Sequence, residues 1–142
     1  MSGRPVDPAV QQEALRWLAW AKDDLAAAQA IARDRSLAPR NACYHAQQCA
    51  EKAIKAAILF SGKQYTWSHD LDALNKQLPA AWDVSASPVG LADLTYWAEW
   101  ARYPSGRPDP TAQDARAAVL MAREVYDRIR GHLAAAGAPS LP

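Results

Sequence analysis

The sequence predicts an all-α fold, an up-and-down helical bundle of four long helices plus one short helix. Hydrophobic residues make up 50% of the 142, yet aromatics only 8%. The apolar content is therefore mostly alanine, leucine and valine, which suits closely packed helices better than a broad sheet. Apolar positions recur at helical spacing, with no alternating strand pattern, heptad run or internal repeat. At this length one core is expected: a bundle over 8–136, an N-terminal tail over 1–7 and a loose C-terminal tail over 137–142.

Asp7 before Pro8 is an N-cap followed by proline at the first helical position, and Ala14, Leu18, Ala21, Leu25 and Ala28 continue the pattern, so helix one spans 8–35. Ser36 to Pro39 interrupts it. Pro39 opens helix two, which runs through Ala46, Cys49, Ala53 and Ala57 to 61, where Gly62 supplies the stop. Ser68 is the expected cap of a short helix carrying Leu71, Leu74 and Leu78, ended by Pro79. Ser87 and Pro88 repeat the cap-then-proline signal and predict helix four over 88–101, with Leu91, Leu94, Trp97 and Ala98 inward. Thr111 and Asp114 form a capping-box pattern for helix five over 112–135. Helices one, two and five are expected to make the core.

Sixteen Lys plus Arg against 15 Asp plus Glu give a formal charge of +1. That balance lacks the whole-molecule basicity of a nucleic-acid-binding domain, whose pI exceeds about 9, and leaves only a local basic patch. No run of 18 apolar residues suggests a membrane span, and Met1 to Asp7 lacks the pattern of a secretory leader, so a cytoplasmic protein is expected. Cys43 and Cys49 lie six apart in one helix and point to different sides, as reduced and buried residues rather than a disulfide or a metal pair. Glycine-rich phosphate loops, a Ser-His-Asp set and zinc-type clusters are missing, so no cofactor is implied.

Helix two divides sharply. Ala46, Cys49, Ala50, Ala53, Ile54 and Ala57 fall on one side, Gln47, Gln48, Glu51, Lys52 and Lys55 on the other. Small apolar residues let neighbouring helices approach closely, which places this helix centrally. The polar strip reads most simply as a solvated face with a Glu51 to Lys55 pair, contributing about 0.2 to 0.5 kcal/mol. It also reads as the wall of a cleft.

The string Ala42-Cys43-Tyr44-His45-Ala46-Gln47-Gln48-Cys49-Ala50-Glu51-Lys52-Ala53-Ile54-Lys55-Ala56 resembles the signature helix of HEPN domains. Asp24-Leu25 in helix one, His69-Asp70-Leu71, Arg102-Tyr103-Pro104 and a long Ala- and Arg-rich last helix follow in the family's order, over roughly residues 10 to 133. The resemblance implies a helical bundle that forms homodimers, binds a nucleotide, RNA or a protein partner, and is often paired with a minimal nucleotidyltransferase in toxin-antitoxin fashion. Arg102 and Tyr103 fit the family's motif, and with the phosphate-capable cations and polar donors Gln48, Lys52, Lys55 and His69 they are expected to be ligand- or partner-binding residues. Some relatives are metal-independent ribonucleases whose motif is an arginine, four to six residues, and a histidine, commonly with a tyrosine two beyond. Arg40 to His45 has that arithmetic, but Gln47 stands where the tyrosine would be, and the match opens helix two rather than lying on a later helix.

Chemically, His45 would serve as general acid or base and Arg40 as the fixed cation at a phosphate. Five helical positions rotate by about 500°, a net of about 140°, so two helical side chains there diverge. A binding module is therefore favoured, with a metal-independent endoribonuclease as the alternative. His69 beside Asp70 is either oriented by a carboxylate or part of a cap. Arg102 either satisfies the last carbonyls of helix four or meets a ligand. Arg116, Arg123 and Arg130 recur every seven residues as a stripe beside the apolar face of helix five, able to contact phosphates but with Glu124 and Asp127 nearby read rather as a solvated or partner-facing strip. Tyr96, Trp97 and Trp100 on helix four suggest core or subunit interface more than a base-stacking platform.

Overall fold

A computed structural model describes residues 6–142. Five α-helices follow one another, α1 (Pro8–Arg33), α2 (Pro39–Phe60), α3 (Leu71–Asn75), α4 (Leu91–Trp100) and α5 (Ala112–Ala135), with a 3₁₀ turn at Ala80–Trp82. No strand occurs among the described residues. The all-α bundle expected from the sequence is therefore the observed architecture. Of the N-terminal tail expected over 1–7, residues 1–5 lie outside the described residues.

The caps act as their chemistry demands. Asp7 accepts from the Ala9 amide at 2.8 Å, and Thr111 and Asp114 exchange side-chain to backbone bonds at 3.0 and 2.8 Å. Gly62, at φ +88°, turns the chain out of α2, and the Lys63 amide reaches back to the Ile58 carbonyl at 3.2 Å. The core lies between α1, α2 and α5. Ala14, Leu18 and Ala21 meet the alanine-rich face of α2, and Ala118, Ala122, Val125, Ile129 and Leu133 close it from α5, all fully buried. Cys43 and Cys49 are free thiols inside this core. Burial pushes the Cys43 thiol up to about 12, and that of Cys49 higher still.

Four local expectations are corrected. Helix one stops at Arg33, because Asp34 turns the chain by accepting from the Ser36 amide at 2.9 Å. The cap of α3 is Asp70, which accepts from Asp72 and Ala73, whereas Ser68 accepts from the Asp70 amide one step earlier. Helix four begins at Leu91 rather than 88 and is only ten residues long. Its approach is held out of helix by Arg128 of α5, which donates to the carbonyls of Val84, Ala86 and Ser87 at 3.0, 2.6 and 3.0 Å. Finally, the C-terminal segment is tied down: Tyr126 Oη and Arg130 Nε donate to the Pro142 carbonyl, and Ala138 and Leu141 pack on the core.

Candidate functional site

The polar strip of α2 is not a solvated face. Gln47, Glu51 and Lys55 are all at most 5% exposed, because α1 and the 63–70 segment close over them. Burying such groups is tolerable only if each finds partners. Glu51 accepts from Lys55 Nζ at 3.0 Å, from Gln47 Nε2 at 3.1 Å and from His69 Nδ1 at 2.7 Å. Burial by itself would raise the Glu51 pKa, but the donors from His69, Gln47 and Lys55 outweigh it and hold the carboxyl below its ordinary value. The Lys55 ammonium completes its surroundings with Trp17, Tyr65 and Trp67, whose ring centroids lie 5.7, 5.0 and 5.5 Å away.

A second network sits one strip nearer to solvent. Asp24 of α1 receives Lys52 Nζ on one oxygen and His45 Nδ1 on the other, the latter at 2.9 Å. A carboxylate only accepts, so His45 donates to it through Nδ1. Gln48 links the two networks, donating to Gln47 Oε1 at 2.7 Å and accepting from Lys52 at 3.4 Å.

Beyond the N-terminal end of α2 opens a cleft of about 340 Å³ whose walls include Arg40, Arg102, Arg107, Tyr96, Trp97 and Trp100. Tyr103, Pro104, Ser105, Pro108 and Asp109 of the 101–110 loop complete its lining. Arg107 lies over Trp100, 3.8 Å from guanidinium carbon to ring centroid, and donates to Tyr96 Oη at 3.3 Å. Arg102 lies over the rings of Tyr44 and Tyr103, 5.5 Å from each. Asp109 is the acid in the lining. Three guanidinium groups in one cleft, two of them over aromatic rings, suit phosphate together with a planar base or ring. Among the described residues no group of three or more His, Cys, Asp or Glu side chains is placed to hold a metal.

The expected site residues thus divide. Arg102 and Tyr103 share the arginine cleft with Arg40. Gln48 and Lys52 join Asp24 and His45 in the outer network, while Lys55 and His69 belong to the inner one around Glu51. Arg40 and His45, both within α2, take different neighbours, Arg40 the α4 aromatics and His45 the α1 carboxylate. His69 is oriented by a carboxylate, but that of Glu51, since Asp70 is committed to capping α3.

Asp24 and Arg107 went unassigned from sequence. The usable signal for Asp24 was a carboxylate directly before the buried Leu25 on a helix facing α2; for Arg107 it was a cation among prolines following three helix-four aromatics. Those aromatics are half-buried, Trp97 packs on the core, and all three line the cleft.

The HEPN domain family model matches residues 14–132. The chain belongs to the HEPN domain family. Two solved structures share the fold of this HEPN domain. TT1696 from Thermus thermophilus is 27% identical with a TM-score of 0.69, over 83% of this chain and 96% of that one. ST0689, an archaeal HEPN homologue, is 24% identical with a TM-score of 0.62, over 84% and 97%. Among curated proteins none matches the sequence. Among the described residues no helix is long and apolar enough to cross a membrane.

Proposed function

We propose that this HEPN domain is a binding module for a phosphate-bearing ligand, a nucleotide or RNA, and that it works as a cytoplasmic homodimer paired with a minimal nucleotidyltransferase in a toxin-antitoxin-type system. The observation that carries the ligand class is the cleft in which Arg40, Arg102 and Arg107 stand beside Tyr96, Trp97 and Trp100. Arginine forks recognise phosphate oxygens in pairs, and the rings offer stacking surface. The dimer is supported by the family and by exposed apolar side chains such as Trp67 and Leu120, 85% and 64% exposed, beyond what a small bundle buries. Arg102→Ala removes a cleft cation that makes no ion pair among the described residues, so ligand affinity falls about tenfold while the melting temperature stays. Unchanged affinity for nucleotides and RNA would sink this reading, and light scattering at the monomer mass would sink the dimer.

A metal-independent ribonuclease is the second reading, and one feature favours it: the Asp24 carboxylate orients His45 as a carboxylate orients a general base. Against it, Arg40 does not share that position within one subunit. Incubating the protein with RNA and a chelator decides. Cleavage lost in His45→Ala would make it a nuclease; intact RNA that is nonetheless bound leaves the binding module.

A further inference from the structure

Along α2 from Arg40 to Phe60, only Arg40, Asn41, Tyr44, His45, Gln48 and Lys52 escape full burial, and these form one strip between α1 and the end of α4. At its first end is the arginine cleft, tied to the strip by Arg102 over Tyr44. At its other end Lys52 lines a second, more apolar cleft of about 280 Å³ with Trp17, Trp20 and Arg16 of α1. Contacts run unbroken between them: Lys52 to Asp24, Asp24 to His45, and His45 edge-on to Tyr44 with ring centroids 5.6 Å apart.

We propose that the two clefts and the strip are one track for a single-stranded nucleic acid rather than two separate pockets. This rests on the phosphate-binding reading above and specifies its ligand as an oligonucleotide. Cations stand beside aromatic faces at both ends, with the Tyr44 and His45 rings between them, a composition that follows a backbone while stacking its bases. Arg40 and Lys52 are 12 helical residues apart, about 18 Å, which at a stacked rise of about 3.4 Å is the length of about five nucleotides. A mononucleotide fills one end only. Charge is also complementary. Asp24 is already paired with Lys52, and the acids that line the two clefts, Glu13 and Asp109, share them with Arg16, Arg40, Arg102 and Arg107, a local excess on a chain of net +1.

Anisotropy of fluorescein-labelled decauridylate, with uridine monophosphate as competitor, tests the track. Wild type should bind the decamer at least about tenfold more tightly than the monophosphate, with a log–log salt slope near about −3 for four phosphate contacts. Trp20→Ala changes an exposed ring at the far end, and its fold can be verified by circular dichroism. It should weaken the decamer about fivefold or more and leave the monophosphate unchanged, whereas Arg107→Ala should weaken both. A decamer indifferent to Trp20→Ala, or a monophosphate bound as tightly as the decamer, overturns the track while an Arg107→Ala effect leaves the single cleft standing. Binding of neither probe overturns both and points to a protein partner.

Discussion

Lys55→Met keeps a stem of similar volume within Trp17, Tyr65 and Trp67 but removes the charge that Glu51 meets at 3.0 Å. Both partners are almost wholly buried, 3% and 5% exposed. Breaking a buried pair from one side costs about 3 to 5 kcal/mol. The lower end, about 3 kcal/mol, is expected here because Gln47 and His69 still donate to Glu51. At this chain length that is a fall in Tm of about 12 °C. The effect carries a pH signature whose sign follows from the depressed carboxyl. Glu51 stabilises the fold above the ordinary carboxylate range, and its contribution is lost as pH falls through its lowered folded value. Urea unfolding of wild type and Lys55→Met at pH 7, and again at successively lower pH, should show the gap closing as Glu51 protonates. A loss under about 1 kcal/mol at pH 7, or a gap that widens in acid, would refute the view that the Glu51 to Lys55 pair holds the 63–70 segment against α1.

Other predictions concern the scaffold. Arg128→Ala frees three carbonyls of the 84–87 segment and should cost about 2 kcal/mol in urea unfolding, well above an ordinary surface arginine. Thr111→Ala removes one half of the capping box on α5 and should cost about 1 kcal/mol. Cys43 and Cys49 should resist alkylation at pH 8 in the native protein and react together once it unfolds, since burial both hides the thiols and raises their pKa values. Prompt native labelling of either would contradict their place in the core.

The helices were legible because their ends carry local chemistry: Asp7 with Pro8, Pro39, Gly62, and Thr111 with Asp114 act through neighbours within a few residues. The same logic misplaced the start of α4. Ser87 with Pro88 has the cap-then-proline pattern, but Arg128, more than 40 residues later, holds that segment's carbonyls, and nothing local announces this. Periodicity separated the two faces of α2 but could not say what covers the polar one. Trp17, Tyr65 and Trp67 arrive from two other segments and turn a reading of solvated charges into a buried network. The division of Gln48 and Lys52 from Arg102 and Tyr103 likewise depends on where α4 ends in space. Spacing did anticipate that Arg40 and His45 diverge, because both lie within one regular helix.

The most direct test of the account is to follow the indole N–H signals of the six tryptophans by NMR while decauridylate is added. Trp97 and Trp100 line the arginine cleft, whereas Trp82 stacks on His132 with ring centroids 5.9 Å apart and lines neither cleft. Saturable shifts of Trp97 and Trp100, with Trp82 unmoved, are the predicted result. Shifts at Trp82 with Trp97 and Trp100 silent, or no shift at any indole, would contradict the assignment of that cleft as the ligand site.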